Sequence, residues 1–201
     1  MTTLFFELII IITLLAVLVV CFAIATSFVV AFFGGGPFVP TPKKAVREVL
    51  KHAKIRKGDR LYDIGAGDGR YLHFAEKDHG AIATGFEIDP FVYALARFKQ
   101  ITLGWKGKMV RSDFRKHSLK DADIVICYML PSTLRKYQSK FDAELQKGCK
   151  VISYSFKVGN WKPIKTIPAK TKTGIKKIYI YSIRDKSAKK PIKTKTNSKT
   201  T

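Results

Sequence analysis

The sequence predicts one α/β domain, built on a doubly wound and mainly parallel sheet, preceded by a single transmembrane helix. Three observations lead there: an uncharged apolar run near the N-terminus, an alternation of short apolar blocks with helical periodicity, and a glycine-rich turn closing the first block. With 201 residues, 46% apolar and 26% charged, the chain can bury one core of ordinary size plus appendages. That length argues against two independently folding catalytic domains.

The apolar run occupies residues 8–33, and its only hydroxyls are Thr13, Thr26 and Ser27. At ~1.5 Å per residue it exceeds the ~30 Å hydrocarbon core of a bilayer, so it can span with some tilt. A cleaved signal peptide is the competing reading, with 23–25 as a small-residue site. The leading segment 1–7 lacks the positive charge of a signal peptide, however, and the run is too long for its apolar region. An uncleaved anchor is therefore expected, with 1–7 as a short extracytoplasmic end and 34–42 as a linker opened by Gly34-Gly35-Gly36-Pro37. No basic residue precedes the span, whereas Lys43, Lys44, Arg47 and Lys51 follow it closely, which places the remainder on the cytoplasmic side. The three cysteines suit a reducing compartment: Cys21 is in the span, and Cys127 and Cys149 sit inside apolar runs as buried small hydrophobes.

From residue 43 to 184 the elements follow in order. Residues 43–54 carry Ala45, Val46, Val49, Leu50 and Ala53 at helical spacing, and 60–64 is a short strand ending in glycines. A helix at 70–78, a strand at 81–86 and a helix at 91–103 come next, with Asp89-Pro90 reading as a helix cap. Strands at 108–111 and 122–127, a helix at 132–145, and strands at 149–155 and 177–183 complete the domain. Such alternation produces a parallel sheet covered by helices, with ligands bound beyond the carboxyl ends of the strands.

The chemistry collects at those strand ends. In Asp63-Ile64-Gly65-Ala66-Gly67-Asp68-Gly69-Arg70, Gly65 and Gly67 allow a tight turn and close approach to a ligand. Asp63 would repel a pyrophosphate but attract a cationic amino group, and Arg70 stands where a dinucleotide fingerprint wants its last glycine. Glu87, 22 residues after Gly65, ends the second strand, where a carboxylate can accept from both hydroxyls of a ribose. Asp113, after the third strand, could accept from an adenine amino group, and Phe114 could cover the base. His52, His73, His79 and His117 show no ligand spacing, so no metal is expected.

These motifs resemble the class I S-adenosylmethionine-dependent methyltransferases over roughly residues 41–183. More narrowly, Phe38-Val39-Pro40-Thr41-Pro42, the glycine turn, Gly85-Phe86-Glu87, Tyr128-Met129-Leu130-Pro131, Ser155-Phe156 and Trp161-Lys162-Pro163 resemble membrane-anchored lysine methyltransferases. Those act on the adenine nucleotide translocase and the c-ring protein of ATP synthase, and they have prokaryotic relatives. The resemblance implies a Rossmann-like seven-stranded methyltransferase sheet. It also implies S-adenosyl-L-methionine as cofactor, held by Asp63, Gly65, Ala66, Gly67, Asp68, Glu87, Asp113 and Phe114. It further implies that Thr41 and Pro42 close over the cofactor and that Tyr154, Phe156 and Trp161 line an acceptor channel. Tyr128, ending the fourth strand, is the expected catalytic residue, orienting an acceptor amine and taking its proton directly or through water. The long Lys-rich tail departs from the family, and no mitochondrial address is evident, so the eukaryotic substrates do not transfer.

The formal charge of +22 has a location. Residues 1–42 carry only Glu7, 43–146 carry 21 basic and 13 acidic residues, and 147–201 carry 16 basic residues and Asp185. The segment 185–201 is too poor in apolar groups to offset the entropy of ordering and reads as a disordered tail. It lacks interleaved aromatics, and anionic lipid attracts juxtamembrane cations at ~1 kcal/mol each, so lipid is the favoured partner over nucleic acid. The expected function is that of a membrane-anchored methyltransferase whose acceptor is a protein lysine, with a membrane protein as one candidate carrier. Two alternatives stand: a lipid-soluble or RNA acceptor, and a nucleotide-binding scaffold without activity.

Overall fold

The computed structural model describes residues 2–34, 36–171 and 174–183. Helix α1 spans Thr2–Gly34, and its segment Thr3–Val29 has the length and composition to cross a membrane, with none of that stretch packed inside the domain. The helix starts six residues earlier than the apolar run, because no Gly or Pro interrupts the chain before Gly34; residues 2–7 thus belong to the helix and not to a separate end. Thr13 Oγ1 donates to the Ile9 carbonyl at 2.8 Å and Thr26 Oγ1 to that of Phe22 at 2.9 Å, so neither hydroxyl needs a partner outside the helix.

Helix α2 (Lys43–Ala53) follows the linker and buries Ala45, Val46, Val49, Leu50 and Ala53. Then come β1 (Arg60–Ile64), α3 (Arg70–His79), β2 (Ile82–Glu87), α4 (Pro90–Leu103) and β3 (Lys108–Arg111). A single 3-10 turn, Phe114–Lys116, leads to β4 (Ile124–Cys127), α5 (Pro131–Glu144), β5 (Lys150–Tyr154), β6 (Lys165–Thr171) and β7 (Gly174–Ser182). The seven strands form one sheet in the order β3-β2-β1-β4-β5-β7-β6. All neighbours from β3 to β5 are parallel, whereas β7 runs antiparallel to both β5 and β6. The chain order reverses between β1 and β4, and that switch point opens the crevice where the glycine turn lies.

Strand β6 has no counterpart in the sequence-based expectation. Its Lys165-Thr-Ile-Pro-Ala-Lys-Thr171 alternates around Pro168 and buries only Ala169, as an edge strand can. Strand β7 behaves as expected, burying Ile178 to Tyr181 consecutively.

Two cores cover the faces of the sheet. One joins α2, α3 and Ala96 of α4 to Leu61, Ile124 and Ile152; the other joins Leu134, Tyr137 and Phe141 of α5 to Ile64, Val125 and Val151. Cys127 and Cys149 are buried, and burial pushes each thiol up to about 12, as befits small core hydrophobes and not nucleophiles. Asp89 caps α4 as anticipated, its Oδ1 accepting from Phe91 N at 2.8 Å and Val92 N at 3.0 Å with Pro90 at the first helical position. The tail at 185–201, expected to be disordered, lies outside the described residues.

Candidate cofactor site

The ends of β1 and β2 meet through backbone first. Gly65 N and Ala66 N both donate to the Phe86 carbonyl, at 3.0 and 2.9 Å, so the turn after β1 is tied to the last residues of β2. Gly65 and Gly67 adopt φ of +77° and +57°, a region that side chains other than glycine's rarely enter. Above this turn the ring of Phe38 sits so close that a Cβ on Gly67 would lie 2.6 Å from it. The linker from Phe38 to Thr41 thus forms one wall of a cavity, the glycine turn another, and Tyr128, Met129, Leu130 and Phe156 a third.

Two carboxylates face this cavity from the strand ends. Asp63 is 2% exposed, and its Oδ2 has no hydrogen-bond partner. Burial, followed by the nearby charges of Glu87 and Asp68, raises its carboxyl well above the usual carboxylate range. Glu87 is also buried, yet better provided: Oε2 accepts from Gly67 N, and Oε1 from Ile88 N and Asp89 N, each at 2.9 Å. Burial raises Glu87 as well, against the lowering effect of those three amides.

Asp68, at the glycine turn, is turned to another task and does not line the cavity. Its carboxylate bonds Arg70 Nε at 2.7 Å and Arg70 Nη2 at 2.6 Å, and Lys99 Nζ of α4. Burial would raise its pKa, but Arg70 and Lys99 outweigh it and hold the group below its ordinary value. Arg70 also donates through Nη1 to the Thr41 carbonyl, which fastens the linker wall to the start of α3. The residue that spoils the dinucleotide fingerprint is therefore a structural clamp. Nothing in the pattern of α4 pointed to Lys99 as its partner.

A smaller recess adjoins the first and shares Gly65, Glu87, Ile88 and Met129 with it. Asp113 and Phe114 line this recess, not the main cavity. Asp113 caps the 3-10 turn by accepting from Arg115 N at 2.9 Å and pairs with the Arg115 guanidinium, which outweighs burial and lowers its pKa. Phe114 is 4% exposed and packs edge-on against Tyr137 with ring centroids 4.6 Å apart.

Of the aromatic residues expected at the acceptor channel, Phe156 lines the cavity and Tyr154 supports it from beneath, with Tyr128 standing edge-on to Tyr154 at 5.1 Å and stacked over Phe156 at 6.2 Å. Trp161 does not take part. It is drawn into the opposite core against Phe141 at 6.0 Å and Tyr181 at 5.6 Å, where its large apolar area is better buried. Thr41 lines the cavity, whereas Pro42 starts α2, its carbonyl accepting from Val46 N. Met129 and Ile88 line both recesses, and neither stood out in the sequence: an apolar residue just past a strand looks like any other.

The family model described as the ANTKMT methyltransferase domain matches residues 63–165, from the first carboxylate of the cavity to the start of β6. The chain belongs to this family. Relatives of the ANTKMT-type domain include a protein-lysine N-methyltransferase of Saccharolobus islandicus, 31% identical over 150 residues that cover 73% of this chain and 93% of that protein. The adenine nucleotide translocase lysine N-methyltransferase of Mus musculus is 32% identical over 65% of this chain, and the match spans 58% of that relative's length. An ATP synthase c-type lysine N-methyltransferase, also of Mus musculus, is 31% identical over 83% of this chain and is matched over 66% of its own length. Among solved structures, an RNA methyltransferase from Salinibacter ruber in complex with S-adenosyl-L-homocysteine superposes with a TM-score of 0.68 at 33% identity, covering 73% of this chain and 95% of that one. The ANTKMT-type domain is a methyltransferase, and its cofactor is S-adenosylmethionine. The donor set here fits that molecule: a buried carboxylate oxygen without a partner suits a cationic amino group, and the glycine turn leaves room that a Cβ would fill.

Proposed function

We propose that this chain is a membrane-anchored methyltransferase that modifies the side-chain amine of a protein lysine. The observation that carries the methyl-donor part is the pair Asp63 and Glu87, two buried carboxylates at neighbouring strand ends, one of them lacking a partner. In this reading Asp63 receives the cofactor's ammonium group, and Glu87, already oriented by three amides, accepts from the ribose hydroxyls. The backbone of Gly65, Ala66 and Gly67 lies against the cofactor, and Asp113 and Phe114 form the adenine recess. Asp68 acts at one remove, by holding Arg70 and through it the Thr41 carbonyl.

Bound there, S-adenosylmethionine supplies an electrophilic methyl group on a sulfonium. The protein's contribution is to hold a nucleophile in line with that group and keep it there. A lysine amine must be neutral to attack, since its protonated form has no lone pair. Tyr128, at the cavity rim beside Phe156, offers a phenol oxygen that accepts from the amine N–H and passes the proton outward to water. The apolar stem of a lysine suits the surrounding Phe156, Met129 and Leu130.

The protein-lysine acceptor is supported by the Saccharolobus islandicus and mouse relatives, and the anchor by the span Thr3–Val29, with the domain on the cytoplasmic side by the positive charges that follow it. The lysine acceptor resides on a membrane protein in this reading. A second reading, an RNA acceptor, is favoured by the likeness to the Salinibacter ruber RNA methyltransferase and by the net charge of +22. Methyl-labelled S-adenosylmethionine incubated with the full chain and membrane extract separates the two. Label recovered on protein lysine by mass spectrometry supports the first, and label confined to RNA or lipid overturns it.

A further inference from the structure

Helix α4 leaves an apolar face without a partner inside the domain. Val92 and Ala96 are its buried residues, while Leu95, Phe98 and Ile101 are 38%, 65% and 75% exposed. Together with Phe91 these recur at three- and four-residue spacing and form one stripe along the helix. A helix covering a sheet of a water-soluble domain normally places polar residues there. In α4 the cations Arg97 and Lys99 stand at the flanks of the stripe, and the helix contains no acidic residue.

The stripe is continuous with the span. The ring of Phe22 in α1 meets that of Phe91 edge-on, with centroids 6.3 Å apart and planes at 80°. The depth of this contact follows from helix geometry. The 27 residues of Thr3–Val29 rise ~40 Å, about 10 Å more than the ~30 Å hydrocarbon core. Phe22 lies seven residues before Val29, or ~10 Å, and so falls at the edge of the hydrocarbon when the excess lies on the side of the domain. A helix held at Phe22 by its own first turn sits within the ~5–10 Å depth that interfacial helices occupy.

We propose that the outer face of α4 lies in the membrane interface, as a second contact between the catalytic domain and the bilayer that α1 crosses. The occupant is a lipid surface carrying anionic headgroups, matched by Arg97 and by the chain's net charge of +22. The domain is then held at fixed height and tilt. Ser27 of α1 lines the cavity, as does Ile88 just before α4, so the mouth opens beside the bilayer surface. Acceptor amines reach it only if they lie close to that surface. The inference rests on α1 crossing a bilayer, and the experiment reports that point separately.

The full chain is reconstituted in phosphatidylcholine and phosphatidylglycerol vesicles with a nitroxide at one position at a time: native Cys21, or Phe98→Cys, Ile101→Cys and, as control, Lys136→Cys on α5, each of these three with Cys21→Ser. Collision with oxygen reports lipid, and collision with a water-soluble nickel chelate reports solvent. The expected result is an oxygen-to-nickel ratio severalfold higher at 98 and 101 than at 136. Values at 98 and 101 equal to that at 136, while Cys21 remains in the oxygen-rich interior, overturn the α4 contact and leave the span intact. A solvent-exposed Cys21 overturns the span reading and the α4 contact with it. Labels at 98 and 101 shielded from both reagents, with dipolar broadening between copies, also overturn it, since a second chain then covers the face. The exposure of Phe98 and Ile101 lets each variant fold, which retained S-adenosylmethionine binding verifies.

Discussion

Glu87 Oε2 accepts a 2.9 Å hydrogen bond from the backbone amide of Gly67, so the acid that ends β2 also holds the turn that follows β1. Two strand ends are locked by one side chain, and any change to it acts on the shape of the cavity as well as on its charge. Glu87→Ala is therefore expected to weaken S-adenosylmethionine at least about tenfold, or about 1.4 kcal/mol, in calorimetry. It also leaves three amides to find other partners and lowers the unfolding free energy by about 1–3 kcal/mol. An unchanged affinity would sink the ribose assignment.

Asp63→Asn is expected to trade affinity for stability. Burial and two neighbouring acids hold the Asp63 carboxyl above its ordinary range, so the folded chain keeps a proton there that the unfolded chain has released. The favourable contribution is fully present below the unfolded value and is lost as pH rises through the raised folded value. Asparagine cannot ionise and escapes that loss. The variant's melting temperature should exceed the parent's at neutral pH, the difference shrinking on acidification, while its cofactor affinity falls about tenfold or more. A variant that binds as well as the parent removes Asp63 from the ammonium role.

Two glycine substitutions should fail differently. In Gly67→Ala the new Cβ meets the Phe38 ring at 2.6 Å with φ at +57°, so the linker wall is displaced and affinity drops along with about 1–2 kcal/mol of stability. In Gly85→Ala it meets Ala66 Cβ at 2.6 Å and Leu72 at 2.9 Å under the sheet, and overpacking costs about 1–3 kcal/mol. Paired melting curves with and without cofactor check this: Gly67→Ala loses the ligand-induced shift more than Gly85→Ala does.

Tyr128→Phe keeps the ring that stands against Tyr154 and Phe156 and removes only the phenol oxygen. Single-turnover methyl transfer is expected to slow about 100-fold with cofactor affinity unchanged. Equal losses in both would remove Tyr128 from the acceptor side.

Much of this was legible in the sequence because the elements carry local signals. Asp89-Pro90 announced the start of α4 by cap chemistry, and the glycines after β1 announced the turn, since both depend on neighbouring residues only. Strand β6 was hidden because an edge strand needs little apolar content, and Pro168 argued against it. Asp68 and Trp161 were read from position in a motif, but their partners, Lys99 for one and Tyr181 for the other, lie far along the chain. Periodicity fixes which face a residue takes; it does not reveal which distant charge or ring will meet it there.

The wall formed by Phe38 to Thr41 bears on how the enzyme can be trimmed. A version cut back to Lys43, where α2 begins, would retain all seven strands, both cores and the pair of strand-end acids, and would be judged a complete domain by its spectrum and its melting curve. It would nonetheless have lost Phe38 from above Gly67 and the Thr41 carbonyl from Arg70. Inactivity of such a fragment would then reflect an unroofed cavity, and a boundary at Gly36 is the one that separates the need for a membrane from the need for a lid.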